Sequence, residues 1–233
     1  MSGLRLPSIS IADIDMDNCY FNPGCALNLY RPASGEKILS ILNRAFGPVK
    51  LHDICCRHDP RLPRGSVIIN NCAGCDRRFR SLYEGVRTVS LWEVLDFLVK
   101  LPLPDHAGLT VSVHDSCSFR PKPQVHAAVR SLLRKMNVEI REAELSGTRS
   151  VCCGDNFYGR VPNGRVAEFQ KARAAQMPCP DVAVYCVSCI KSMAVGGKAA
   201  HHMADLVLGE ETTPGDIDID RWHAALEGYI AAH

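Results

Sequence analysis

The sequence has no strong charge of either sign and no long apolar run. Its 27 lysines and arginines nearly balance 25 aspartates and glutamates, for a net charge of +2, so composition gives no electrostatic case for nucleic-acid binding. The most apolar region, residues 91–103, is interrupted by four charged or proline residues, and no stretch reaches the roughly 18 to 20 apolar residues that a membrane-spanning helix needs. The N-terminus also lacks the apolar core of a secretory signal. We therefore expect a soluble, cytoplasmic protein with no transmembrane segment and no nucleic-acid partner.

Common cofactor motifs are missing too. The chain contains no Gly-x-Gly-x-x-Gly and no Walker sequence, so neither a nicotinamide nor a nucleotide site is predicted. The Cys-x-x-Cys-x-x-Cys run of ferredoxins is also absent. Any electrons that the protein uses must then arrive from a separate protein.

Cysteine, by contrast, is abundant, and ten of the 12 cysteines form one pattern that occurs twice. Each copy has a single cysteine, an adjacent pair, and then Cys-x-x-Cys. The first cysteine set is Cys25, Cys55, Cys56, Cys72 and Cys75, and the second cysteine set is Cys117, Cys152, Cys153, Cys186 and Cys189. In a reducing cytoplasm, cysteines persist as thiols or metal ligands rather than as structural disulfides. Such regular sets predict two metal or iron–sulfur sites in an internally duplicated protein.

The number of thiols per set bears on what each site binds. Thiolates bind zinc, copper(I) and iron–sulfur clusters. A structural zinc ion takes four tetrahedral ligands, whereas each set offers five. The side chains of an adjacent pair diverge, which suits several irons better than one ion. The pattern therefore favours clusters, and a scaffold that binds only zinc stays open as an alternative.

Apolar segments and turn signals predict strands and helices in the same order in both halves of the chain. The order favours an α/β fold with two pseudo-repeated halves and mainly parallel sheets. Strands are predicted at 17–21, 49–52, 66–70, 86–89, 109–114, 138–143 and 182–185, and helices at 34–46, from Cys75 to Tyr83, and at 91–99, 125–136, 164–177, 201–208 and 220–231. We expect a first repeat at 17–104, a second at 105–211 and a C-terminal helix within 212–233. Because each cysteine element follows a strand, the motifs should lie at strand ends near the interface between the halves.

The motifs resemble the cysteine-rich domain, often called the CCG domain, of the heterodisulfide reductase component that cleaves the disulfide. The segment from Tyr20 to Cys25 is similar to the opening element of that family, and Val113 to Cys117 is similar to the start of its second copy. Cys152-Cys153-Gly154 and Cys186-Val-Ser-Cys189 match the remaining motifs of the second copy. The likeness covers roughly residues 18–210.

The resemblance implies that each complete set binds a noncubane [4Fe-4S] cluster through its five cysteines. It also implies a small-molecule disulfide as substrate, cleaved between the two clusters, and an electron-donating flavin or ferredoxin-type iron–sulfur protein as partner. The alternative is an electron-transfer module of a flavoprotein or quinone oxidoreductase complex, with one cluster and a zinc ion.

The first copy departs from the family pattern. Only 15 residues (57–71) separate Cys56 from Cys72, so the helix that would intervene is expected to be missing. Arg57 stands where the second copy has the glycine that follows the cysteine pair. A four-ligand zinc site or a different cluster therefore stays open at the first set.

Several other polar residues have both a functional and an ordinary interpretation. Cys19 and Cys179 lie outside the two sets and are interpreted as bystanders. His58 is either a proton donor or ligand, or a solvated loop residue; His114 is a core histidine or a catalytic one. The remaining candidates are Arg120 and Lys122, as binders of a substrate carboxylate or as solvated residues, and His201 and His202, as surface residues at a helix start.

Overall fold

The computed structural model describes residue 11 and residues 14–233. Eight strands lie in this part of the chain: β1 Cys19–Asn22, β2 Lys50–Leu51, β3 Val67–Asn70, β4 Arg87–Ser90, β5 Thr110–His114, β6 Glu139–Ile140, β7 Asp181–Val184 and β8 Ala199–His202. They form two four-stranded sheets, in the orders β2-β1-β3-β4 and β6-β5-β7-β8. Every pair of neighbouring strands is parallel. The predicted α/β fold with two repeated halves and parallel sheets is confirmed.

The helices of the described residues are α1 Cys25–Tyr30, α2 Pro32–Phe46, α3 Ala73–Leu82, α4 Leu91–Phe97, α5 Pro123–Lys135, α6 Asn163–Ala175, α7 Val187–Val195, α8 Met203–Leu208 and α9 Ile219–Ala232. Among them, none is long and apolar enough to cross a membrane. The loop between β2 and β3 contains no helix, whereas α6 occupies the corresponding interval of the second half. This is the abbreviation that the sequence predicted.

Two elements differ from the sequence prediction. Helix α1 was not predicted, and the segment expected to be a helix from residue 201 begins instead as strand β8. His202 pairs with Val184 of β7, and its ring accepts a hydrogen bond from the backbone N–H of Ala204, which caps α8. The interpretation of His202 as a surface residue was therefore wrong, since it is completely buried. His202 ends β8 and is also the N-cap of α8, and a polar N-cap residue is a sequence signal for the start of a helix. The sequence prediction therefore began the helix too early.

The two sheets share one hydrophobic core. Trp92, on α4 of the first half, is fully buried and packs edge-on against Tyr185 and His202 of the second half, with ring centroids 6.4 and 6.3 Å apart. Phe119 stacks on Tyr185 from the other side, at 6.1 Å. Aromatic pairs of this kind contribute about 0.5–1.5 kcal/mol each beyond the area that they bury. The halves are thus joined by packing and do not simply follow one another along the chain.

Each of these contacts between the halves has a counterpart in which the corresponding elements have exchanged halves. Helix α4 packs on α5, and the corresponding α8 packs on α2. Helix α3 packs on the 3-10 turn Cys117–Phe119, and the corresponding α7 packs on α1. The elements of this second pair all begin at, or directly after, a cysteine. The fold therefore brings the two cysteine sets toward each other across the interface, as predicted.

The C-terminal helix α9 runs from the second set to the first. Near its start, His223 contacts Asp155 at 3.1 Å and Trp222 donates to Ser188 at 3.3 Å. Near its end, the carbonyl of Ile230 accepts a hydrogen bond from His58 at 2.9 Å. Ile230 lies eight residues after Trp222, which corresponds to about 12 Å at the helical rise of 1.5 Å per residue. Helix α9 therefore links the loops of both sets.

Candidate metal centres

The first cysteine set lies at the carboxyl ends of three adjacent strands. Cys25 begins α1 directly after β1, and Cys55 and Cys56 lie in the loop that follows β2. Cys72 follows β3 as the N-cap of α3, and Cys75 lies in the first turn of that helix. Because these strands are parallel neighbours, their carboxyl ends meet at one edge of the sheet.

The thiols of this set shift one another's pKa values in a series. Hydrogen bonds from Cys25 and Cys56 lower the pKa of Cys55 to about 2. The bond with Cys55 raises the pKa of Cys25. The bond with Cys55 also raises the pKa of Cys56, to about 12, although a bond with Cys75 acts in the opposite direction. At the far end, a hydrogen bond from Cys75 lowers the pKa of Cys72 to about 7. The order of contact is therefore Cys25, Cys55, Cys56, Cys75 and Cys72, and protons are shared unequally along it.

The second cysteine set has the same placement on the second sheet. Cys117 follows β5 in a 3-10 turn, Cys152 and Cys153 lie in the loop after β6, and Cys186 is the N-cap of α7, which contains Cys189. The structure thus brings together all five predicted cysteines in each half.

The order of contact in the second set is also the same. Hydrogen bonds from Cys117 and Cys153 lower the pKa of Cys152 to about 2, with help from the backbone N–H of Gly154, which lies 3.4 Å from the sulfur. The bond with Cys152 raises the pKa of Cys117, and contacts with Cys153 and Cys186 raise that of Cys189. In each half the second cysteine of the series, Cys55 or Cys152, has its pKa lowered to about 2.

The structure explains why glycine follows the second cysteine pair. Gly154 has a φ of +109°, and a Cβ there would lie 2.8 Å from Cγ and 2.9 Å from the backbone nitrogen of Gln170 on α6. Helix α6 therefore packs directly on the cysteine-pair loop, and only glycine fits. The first half has no such helix, which explains why Arg57 is tolerated at the same place.

A buried acidic residue fixes the loop that leads to Cys152. Asp115 accepts hydrogen bonds from Arg130 at 2.9 Å, from the hydroxyl of Tyr185 at 2.8 Å and from the backbone of Gly147 at 2.6 Å, and His126 lies 3.1 Å away. Burial raises the pKa of Asp115, but the bonds from His126 and Arg130 outweigh it and hold the pKa well below its usual range. Sequence reasoning assigned no role to Asp115, although it lies two residues before Cys117.

A buried histidine approaches the second set. The sulfurs of Cys153 and Cys189 and a ring nitrogen of His114 lie within 4.8 Å of one another. On its other side, Nδ1 of His114 accepts a hydrogen bond from Nε of Arg173 at 3.1 Å. Burial, with the charge of Arg173 nearby, lowers the pKa of His114 to about 3, so the imidazole is neutral. Arg173 is itself buried on α6 and was not singled out from the sequence.

In this structure the sulfurs of each set are not arranged as one tetrahedral zinc site. Sulfurs around one tetrahedral zinc ion lie about 3.8 Å apart, given a Zn–S distance of about 2.3 Å. Among the described residues, no three cysteine sulfurs lie within 4.8 Å of one another; the one group of three that close includes His114. The thiols of each set interact with their neighbours in the series, but their sulfurs do not converge on one point. The clustered thiols suit a metal or iron–sulfur cofactor.

The remaining candidate residues have structural partners. Cys19 is fully buried in β1, where burial raises its pKa to about 11, and the backbone of Cys179 is held by Ser112. Arg120 donates to the carbonyl of Ser150 at 2.7 Å, and Lys122 pairs with Asp76 of the first half at 2.9 Å. Lys122 is therefore occupied by an ion pair, whereas Arg120, which is exposed, is held through Nε alone.

Comparison with known families supports the assignment of the second half. Residues 111–193 match the family model described as the CCG cysteine-rich domain. The matched segment contains all five cysteines of the second set. No curated protein matches the chain.

Proposed function

We propose that the protein is an iron–sulfur redox protein in which each cysteine set binds a noncubane [4Fe-4S] cluster, and that it reduces a small-molecule disulfide. The observation that carries the proposal is the repeated series of five sulfurs at equivalent strand ends, on elements that pack across the interface. Electrons come from a separate flavin or ferredoxin-type iron–sulfur protein, because the chain has no ferredoxin motif of its own.

The number and spacing of the sulfurs support clusters over zinc. Five thiols exceed the four that tetrahedral zinc takes, and among the described residues no three cysteine sulfurs lie within 4.8 Å of one another. When bound, such clusters supply two electrons to a disulfide, which takes up two protons and leaves as two thiols. The metal affinity of thiolates depends on their deprotonation, and the low pKa values of Cys55 and Cys152 favour it.

Access from outside is unequal within each set, which fits an exposed reaction face. Cys25, Cys117 and Cys152 are partly exposed, whereas Cys75 and Cys189 are buried. A recess too narrow to admit a water molecule is lined by Cys25, Cys55 and Cys56, together with residues of the neighbouring loops. Cys25 and Cys117 lie on elements that pack against the other half, so a substrate would bind between the sets.

The test is turnover by protein prepared without oxygen. Such protein should be brown and contain more iron than one [4Fe-4S] cluster supplies. When it is reduced with dithionite and methyl viologen, it should convert bis(2-hydroxyethyl) disulfide to thiol, and Cys55→Ser and Cys152→Ser should each abolish the reaction. Cys179→Ser is the matched control, since Cys179 lies outside both sets. Colourless protein with only stoichiometric zinc would contradict the proposal.

A second candidate function is an electron-transfer module with one cluster and a zinc ion. The observation that favours it is the difference between the halves: the first set lacks the helix and the glycine that hold the second, and its recess is small. This candidate is supported instead if the iron is reduced and reoxidised by artificial carriers while no disulfide is consumed, and zinc is found in equal amount to the protein.

A further inference from the structure

His114 and Asn22 occupy the same place in the two halves. Each is the last residue of the central strand, β5 or β1, and each lies three residues before the first cysteine of its set. Both side chains are buried, and each has one polar atom without a hydrogen-bond partner among the described residues: Nε2 of His114 and Oδ1 of Asn22. A buried polar atom without a partner is costly, and these two residues also lie beside a cysteine set.

The hydrogen bond from Arg173 determines which ring nitrogen of His114 carries the proton. An arginine side chain donates hydrogen bonds and accepts none. Because Nε of Arg173 donates to Nδ1 of His114 at 3.1 Å, Nδ1 carries a lone pair and the proton of the neutral ring lies on Nε2. That atom is the unpartnered one, and a nitrogen of the same ring lies within 4.8 Å of the sulfurs of Cys153 and Cys189. A protonated nitrogen cannot coordinate a metal, so His114 is a hydrogen-bond donor toward sulfur and not a ligand.

The same reasoning shows that Asn22 offers a hydrogen-bond acceptor, whereas His114 offers a donor. Nε2 of His52 lies 3.0 Å from the carbonyl oxygen of Pro60, which only accepts, so that nitrogen carries the proton. Nδ1 of His52 must then accept the bond from the amide nitrogen of Asn22 at 3.1 Å. This fixes the orientation of the amide and leaves its oxygen unpartnered. Asn22 also lines the recess formed by Cys25, Cys55, Cys56 and Cys75.

We propose that His114 is a positioning residue that donates its Nε2–H to a sulfur at the second cysteine set, while Asn22 presents an acceptor to the first, so that the second site is reduced at the higher potential. A hydrogen bond to sulfur stabilises the added negative charge of the reduced state and raises the reduction potential. An acceptor facing the first set does the reverse. Electrons then pass from the first site to the second. This inference rests on the proposed binding of clusters.

The test is a redox titration of the anaerobic protein, followed by absorbance and electron paramagnetic resonance, with iron and sulfide measured on each sample. His114→Leu removes both the acceptor for Arg173 and the donor to sulfur. It should lower the equilibrium constant for reduction of the second site about tenfold, which is 59 mV for a one-electron couple. His114→Gln keeps an acceptor and a donor and should restore the potential. The control is His202→Asn, which changes another buried histidine with an unpartnered Nε2 and should leave the potential unchanged.

The iron content separates the possible results. If His114→Leu binds no iron at the second set, His114→Phe is tested in its place as a variant with neither donor nor acceptor. The hydrogen bond is supported if His114→Leu and His114→Phe both lose iron while His114→Gln keeps its iron and a normal potential. Loss of iron from all three variants would make His114 a ligand and overturn the inference, as would an unchanged potential in His114→Leu. Wild-type protein without iron would instead overturn the proposed function itself.

Discussion

Replacing Gly154 by alanine tests the contact between the cysteine-pair loop and α6. The backbone there has a φ of +109°, a conformation that costs a residue with a Cβ about 1–3 kcal/mol. The new methyl group would also lie 2.9 Å from the backbone nitrogen of Gln170, which cannot rotate away. Overpacking of this kind costs about 1–3 kcal/mol more. We therefore expect Gly154→Ala to lower the free energy of unfolding by roughly 2–6 kcal/mol, and to displace Cys152 and Cys153 enough to reduce the iron content.

The assay is thermal unfolding together with iron analysis of the same samples. A loss of 1 kcal/mol lowers the melting temperature by about 2–4 °C in a chain of this size, so a drop of at least about 4 °C is expected. Gly164→Ala is the matched control, because Gly164 lies in α6, has no neighbour within 4 Å of a new Cβ and has no positive φ. Alanine there should be neutral or stabilise by up to about 1 kcal/mol. Equal melting temperatures and equal iron for the two variants would refute the packing argument.

Two further predictions concern the second half. Cys153→Ser and Cys186→Ser should each lose iron and stability, because binding at such sites is coupled to folding, whereas Cys179→Ser should lose neither; equal iron in all three would contradict the assignment of ligands. Asp115→Asn should cost roughly 3–5 kcal/mol near pH 7, the cost of breaking a buried ion pair, measured by urea denaturation of the metal-free protein. Because folding lowers the pKa of Asp115, its stabilising contribution is present above the unfolded pKa of about 3.9 and is lost as the pH falls below it. The gap between wild type and variant should narrow from pH 5 to pH 3, and a gap that does not change with pH would count against this role.

Much of the fold could be predicted from the sequence, because parallel strands buried on both faces are apolar throughout. Strand β3 is buried at all four positions and was predicted from its run of Val67, Ile68 and Ile69. Strand β8 was missed because its register places two histidines next to β7, and the cost of burying His202 is offset by its role as the N-cap of α8. Helix α1 was missed because its six residues are too few to show helical periodicity.

The cysteines could be predicted because ligands at the ends of repeated strands recur at similar spacing. The residues that support them could not. Arg173 reads as an ordinary polar residue of a helix, and only the three-dimensional fold shows that it is buried and donates to His114 at the end of β5. Asp115 and Arg130 are 15 residues apart, and nothing in their local sequence indicates that they pair.

The most direct test of the account is a crystal structure of the anaerobic protein with anomalous data collected at the iron and zinc absorption edges. The account predicts iron, with several peaks, bound by the five cysteines of each set and in contact through sulfur with Nε2 of His114 at the second. A single zinc ion at both sets, or iron held by cysteines from only one set with none near the other, would contradict the claim of two cluster sites.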